Sequence, residues 1–228
     1  MSLRFSKHVH HLLLDGEFVL LDIKADRYYL LDETDSIDLV DGLVKSKKSD
    51  IIAKLVAVNI LTNDACDACE KIRSVQTNRT GIGNHEWGAT AAYKKSNYNF
   101  HYFLTAVFLL TCTTALMTVF GFAGVIGLCK QIPRRTAKHF SQMKSKKEQL
   151  EKMASAIHEA GLLLPFRVQC LESSFALFFF SAIIGVRSKL RIGVQRYDFL
   201  AHAWIEFDAC VIGDMQSLHT ELPVIFEI

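Results

Sequence analysis

The chain has 228 residues, 50% of them hydrophobic, and 26 basic against 24 acidic side chains, a formal charge of +2. So apolar a composition excludes a disordered polypeptide, and so small a net charge excludes a general nucleic-acid binder; the length buries one substantial core or two small ones. The charge is uneven, with residues 15–41 acidic and 130–152 basic.

The first residues, Met1-Ser-Leu-Arg-Phe-Ser-Lys-His, lack the basic stretch, apolar core and small-residue cleavage site of a secretory signal. A cytoplasmic location is therefore expected, with the six cysteines as free thiols. Residues 9–14, 17–23 and 27–31 are rich in aliphatic and aromatic side chains and are separated by Asp15-Gly16 and Lys24-Ala25-Asp26, both turn-forming. A three-stranded antiparallel meander is predicted. Asp32 then caps a helix that turns Ile37, Leu39, Val40 and Leu43 inward, and a second helix begins near Ser49 with Ile51, Ile52, Leu55, Val56 and Ile60 inward. A third is expected over 63–73. Three strands and about three helices over 1–76 describe a small winged-helix-like domain, yet its acidity would repel phosphates, so a peptide suits it better than DNA.

Residues 77–98 read as a linker. Cys66 and Cys69 form a single CxxC with no second pair, and His85 and His101 are weak partners at such spacing, so no metal is expected. The sequon Asn78-Arg79-Thr80 carries no meaning without secretion.

Between Lys95 and Lys130 there is no Asp, Glu, Lys or Arg, and 102–129 is an apolar helical region of transmembrane length. Its flanks are basic on both sides and give no orientation. A single span would put the N-terminal domain and the rest of the chain on opposite sides of a membrane. Two shorter buried helices broken near Gly121, or a surface-lying hairpin, keep the domains together; peripheral membrane contact stays open. After Pro133 comes a polar, basic helical run, and Leu150, Met153, Ala154, Ile157 and Ala160 then recur at helical spacing.

Cys170 opens the apolar run 171–180, long and dense enough to be a buried helix. At a helix N-terminus, unpaired N–H groups and the positive end of the dipole favour thiolate over thiol, and the same N–H groups suit an oxyanion. Leu190, Ile192 and Val194 alternate with Lys189, Arg191 and Gln195 as in a half-buried strand, and the chain turns through Arg196-Tyr197-Asp198. Residues 201–207 and 210–214 form a hairpin around Asp208-Ala209, which lets Asp214 reach the ring nitrogen of His202 that does not face the thiol. Nucleophile, base and orienter are then present in Cys170, His202 and Asp214. Against this, a buried Cys is ordinarily a small hydrophobe and a strand His a satisfied polar residue, and spacing alone does not decide between the two.

The strings Cys170-Leu-Glu-Ser-Ser-Phe-Ala-Leu, Leu190-Arg-Ile-Gly-Val, Phe199-Leu-Ala-His202-Ala-Trp-Ile-Glu-Phe and Gly213-Asp214 resemble the transglutaminase-like leader peptidase of lasso-peptide biosynthesis, over the last third of the chain. The resemblance implies an α+β chain whose C-terminal domain, 99–228, is a papain/transglutaminase-like cysteine protease with Cys170, His202 and Asp214 as its catalytic triad. One departure is Asp208-Ala209 where Asp-Gly is favoured, which bears on the turn type. The segment Arg27-Tyr28-Tyr29-Leu30-Leu31-Asp32 resembles the PqqD-like recognition element of peptide-modifying systems. That implies leader-peptide binding at Arg27, Tyr28, Tyr29 and Leu30, the leader adding as a strand to the sheet edge; by themselves Tyr28 and Tyr29 equally suit packing on the two faces of the sheet.

The implied activity is removal of the leader from a ribosomal precursor peptide in antibiotic biosynthesis, together with an asparagine-synthetase-like cyclase. No cofactor is expected: the chain has no phosphate-binding Gly-Lys-Ser or Gly-Lys-Thr, so ATP would enter through the partner. The alternatives are an acyl transferase on the same fold and a non-catalytic, membrane-associated adaptor.

Overall fold

A computed structural model describes residues 3–45, 47–62, 72–76, 97–132 and 140–228. Cys66, Cys69, His85, the sequon at 78–80, most of the expected helix over 63–73 and most of the linker lie outside them. The chain divides into two compact units, 1–79 and 80–228.

The first unit contains β1 (Arg4–Phe5), β2 (Val9–Leu14), β3 (Glu17–Asp22), β4 (Arg27–Leu30), α1 (Glu33–Lys45), α2 (Asp50–Ala57), β5 (Leu61–Thr62) and β6 (Ser74–Val75). Its main sheet has the order β4-β3-β2-β6; the meander is antiparallel, β6 joins β2 in parallel, and β1 pairs separately with β5. The turn chemistry explains the meander. Asp15 and Gly16 both have positive φ, 49° and 94°, as a two-residue primed turn requires. At the second turn the Asp22 carboxylate accepts the N–H groups of Lys24 and Ala25 at 2.8 and 3.0 Å. Asp32 then caps α1, its Oδ1 accepting the Asp35 N–H at 2.8 Å.

Phe18, Leu20, Leu39, Ile52, Leu55 and Ile60 form the core of this unit. The inward face of α1 differs from expectation: Ser36, Leu39 and Gly42 are buried, while Ile37 is 57% exposed. Close approach selects the smaller residues. The Ser36 hydroxyl accepts the buried Phe18 N–H at 2.9 Å, and a Cβ on Gly42 would lie 2.0 Å from Ile52 Cδ1.

The second unit contains α3 (Phe100–Gln131), α4 (Phe140–Leu163), α5 (Cys170–Ile183), β7 (Lys189–Gln195), β8 (Leu200–Phe207), β9 (Cys210–Ile212), α6 (Leu218–Glu221) and β10 (Val224–Glu227). The sheet order is β10-β7-β8-β9, antiparallel throughout. α5 packs on β7 and β8, and α3 and α4 pack on α5.

α3 breaks at Gly121 as the sequence foretells, with φ 64° there, but it is not a pair of buried helices. Each half buries one stripe at spacing i, i+3, i+4, i+7: Ala106, Leu109, Leu110 and Thr113, then Phe122, Val125, Ile126 and Cys129. A helix apolar on every side has more hydrophobic surface than one packed face covers, so Phe100, Leu104, Phe108, Val119 and Phe120 are exposed. By length and composition α3 is long and apolar enough to cross a membrane.

Candidate active site

Cys170 is the first residue of α5 and is half-buried. The preceding Gln169 is extended, and its N–H donates to the Glu172 carboxylate at 3.1 Å, which fixes the entry into the helix. Ser174, one turn on, donates its buried hydroxyl to the Ala203 carbonyl at 2.9 Å and ties the head of α5 to β8.

The sheet leaves that carbonyl available for a topological reason. Leu190 and Val194 of β7 spend their N–H groups on the Ile228 and Pro223 carbonyls, so Ile192 between them also faces β10. Ala203, opposite Ile192, therefore turns its backbone the other way, where β9 has already ended at the Ile205–Ile212 pair. Its carbonyl meets Ser174 and its N–H bonds the Cys170 sulfur.

His202 is buried on β8 next to Ala203. Its Nε2 lies 2.7 Å from Asp214 Oδ2, while Asp214 Oδ1 accepts the Met215 N–H at 2.8 Å. Cys170 and His202 are hydrogen-bonded to each other. With Nε2 engaged, Nδ1 is the ring nitrogen left for the thiol. The structure thus brings Cys170, His202 and Asp214 into one chain of contacts.

Burial by itself would push the Cys170 thiol up, but the hydrogen bond and charge of His202, helped by the Ala203 N–H, bring it below its ordinary value. Burial likewise works against a charged His202; the hydrogen bonds to Asp214 and Cys170 outweigh it and raise the imidazole to about 9. Both directions favour thiolate beside imidazolium at neutral pH.

Alternate residues of β8 extend the polar face. The Trp204 ring lies 6.4 Å from the His202 ring at 13°, its indole N–H donates to Glu206 Oε1 at 2.9 Å, and Arg191 binds the buried Glu206 at 2.8 Å and Glu227 at 2.7 Å. Gly193, paired opposite His202, makes room: a Cβ there would lie 2.7 Å from two Trp204 ring carbons. From the other side, Glu151 of α4 accepts the Gly213 N–H at 3.2 Å. Gly213 has φ 69°, and a Cβ on it would lie 2.3 Å from that of Ala154, so only glycine brings Asp214 in so close to α4. The sequence reading missed these supports. Period-two spacing from His202 signals Trp204 and Glu206; nothing local signals Glu151.

Arg27, Tyr28, Tyr29 and Leu30 lie on β4 in the first unit. Tyr29 packs against the core, and Arg27 and Leu30 are exposed. Among the described residues β4 is an edge strand, and no group of His, Cys, Asp or Glu could hold a metal ion.

The geometry defines a cysteine-nucleophile site on a helix-and-sheet scaffold. Residues 116–227 match the family model of the transglutaminase-like superfamily, a stretch that includes Cys170, His202 and Asp214. The C-terminal half of the chain is therefore a transglutaminase-like domain, a class compatible with cysteine protease or acyltransferase activity. No curated protein and no solved structure matches the chain.

Proposed function

We propose that the protein is a cysteine peptidase that removes the leader from a ribosomal precursor peptide during lasso-peptide maturation. The observation that carries the reading is the hydrogen-bonded series Cys170–His202–Asp214 with its thiol at a helix N-terminus. The resemblance of the surrounding strings to the lasso leader peptidases supplies the substrate.

The Cys170 thiolate attacks the carbonyl at the leader–core junction, forming the S–C bond, and the oxyanion faces the N–H groups at the start of α5. His202 then protonates the departing amine as the C–N bond breaks, leaving the leader as a thioester on Cys170. The same imidazole next takes a proton from water, which hydrolyses the thioester. Asp214 keeps Nδ1 aimed at the sulfur throughout. The products are free leader and a core peptide with a new N-terminal amine, the substrate an asparagine-synthetase-like cyclase would need. Arg27, Tyr28, Tyr29 and Leu30 on β4 would receive the leader as an added strand.

Acyl transfer differs only in that an amine resolves the thioester, and the superfamily match fits both reactions. Mass spectrometry of the precursor after incubation with wild-type protein or Cys170→Ala, each with and without cyclase and ATP, separates them. Cleavage at one junction, absent with Cys170→Ala, is the expected result. Peptide ligated to an amine would show the transferase. Intact precursor in every wild-type reaction, despite folded protein and measurable leader binding, would overturn the enzyme reading in favour of an adaptor.

A further inference from the structure

We propose that the outer face of α3 is a lipid-docking surface, which lays the transglutaminase-like domain on an anionic bilayer without crossing it. The helix has two opposed faces. Ala106, Leu109, Leu110 and Thr113 are covered by protein, and ring contacts of Tyr102 with Phe180 and of Phe122 with Phe175 and Phe226 anchor both halves. Phe100, Leu104, Phe108, Thr111, Ala115 and Val119 recur at spacings of four and three, so they share a sector about 100° wide on the opposite side. Phe100, Phe108 and Val119 are 69%, 66% and 72% exposed, which is not how a soluble protein disposes of three such side chains on one stripe.

The hydroxyls of this helix indicate lipid as the occupant. Thr105, Thr111 and Thr118, in or flanking the exposed sector, each donate back to the carbonyl four residues earlier, on His101, Val107 and Thr114, at 2.8 Å. The face thus carries no Asp, Glu, Lys or Arg and no unspent hydroxyl donor from these three residues, with His101 in the first turn as its single imidazole. A protein partner needs a polar rim to pair with, whereas a hydrocarbon surface tolerates none. The charge stands at an end: Lys130, exposed in the last turn of α3, is the first charged side chain of the helix. An apolar strip closed by a cation complements acyl chains beneath anionic headgroups.

The same structure argues against a span. Burying all of α3 in hydrocarbon would carry in its packed neighbours α4 and α5, including the ion pair Lys152–Glu148 and the head of α5 at Cys170. The break at Gly121 also interrupts the helical hydrogen-bond ladder, which is tolerable at a wet interface and costly in lipid.

The test is vesicle flotation of the full chain with phosphatidylcholine alone and with an equimolar mixture of phosphatidylcholine and phosphatidylglycerol. Wild-type protein is expected to float with the mixed vesicles, less so with the neutral ones, and Cys170→Ala to float equally well, since docking involves no chemistry. Leu104→Glu with Phe108→Glu should weaken partition by roughly tenfold or more, with circular dichroism unchanged. Ala115→Trp, on the same exposed sector, should bind more tightly and show a blue-shifted indole emission on vesicles. Absence of wild-type flotation, equal flotation of the glutamate variant, or equal partition to both compositions would overturn the proposal. So would a stable dimer in light scattering that the glutamate variant splits, because a second copy would then be the cover.

Discussion

The two four-stranded sheets are built alike and used differently. In the first unit the meander spends its interior on aliphatic and aromatic packing, with Val9, Leu12, Phe18, Leu20 and Leu21 buried, and the strand proposed to receive the leader, β4, lies at an edge among the described residues. In the second unit the central strand β8 buries His202 and Glu206 among partners: Asp214 and Cys170 for one, Trp204 and Arg191 for the other. A buried ionisable group is costly unless its partners are fixed, so the second sheet has to be precise where the first needs only to be apolar. Disturbing each sheet should therefore fail in a different way.

The largest effect is expected at His202. With His202→Ala the burial that now opposes the Cys170 thiolate is countered by the Ala203 N–H alone, and the thiol titrates higher than in wild-type protein. Alkylation of Cys170 by iodoacetamide across pH measures this directly. In wild-type protein the reactive form should persist below the pH at which an ordinary thiol ionises, and activity should fall again as pH rises through about 9, where His202 loses its proton. The variant should lose on the order of a thousandfold or more in activity. Stability follows the same signs. The raised His202 contributes fully below its unfolded value and loses that contribution as pH climbs through about 9; the lowered Cys170 loses its contribution as pH falls through its folded value. Identical alkylation profiles for wild type and His202→Ala would break the comparison between the sheets.

Gly193→Ala comes next. The new Cβ would sit 2.7 Å from the Trp204 ring, which must shift, and Trp204 lies beside His202. Overpacking of this kind costs about 1–3 kcal/mol of stability, and a displaced imidazole costs about a hundredfold in turnover. A thermal melt together with turnover on the precursor separates the two; lowered stability with unchanged turnover would mean that Trp204 packs without positioning His202.

Leu30→Pro tests the other sheet. Because the Leu31 N–H bonds the Phe18 carbonyl, Leu30 directs its own N–H away from β3, and proline there removes a donor from the outer edge while sparing the meander. Leader affinity should fall roughly tenfold, about the worth of one main-chain hydrogen bond, with cleavage unchanged for a short test peptide that spans the junction but lacks the rest of the leader. Undiminished leader binding in calorimetry would remove β4 as the receiving edge.

What the sequence discloses follows the same division. Period and turn chemistry delimit the strands on either side of Asp15-Gly16 and of Asp208-Ala209, the start of α5 at Cys170, and a hairpin that lets Asp214 meet His202. These are local patterns, or pairings set by a short turn. The inward turn of Ser36 and Gly42 in place of Ile37, the parallel partner β6, the exposed face of α3, and the supports at Trp204, Glu206 and Glu151 all depend on what another element brings near. Periodicity shows that a face exists, not how closely its neighbour approaches.

The two hairpin turns carry this contrast down to a single residue and the smallest effect. Both are two-residue turns with positive φ at each position, yet the first places Gly16 second and the other places Ala209 there, at φ 57°. An L side chain in the left-handed region costs about 1 kcal/mol, offset in part by the extra freedom glycine has when unfolded. Ala209→Gly should therefore stabilise the second unit by up to about 1 kcal/mol, raising its melting temperature by a few degrees with activity unchanged. Gly16→Ala should move the first unit by a similar amount in the opposite direction. If Ala209→Gly destabilises instead, the Ala209 methyl contributes packing that outweighs its backbone strain, and the hairpin carrying His202 is held by contact rather than by its turn.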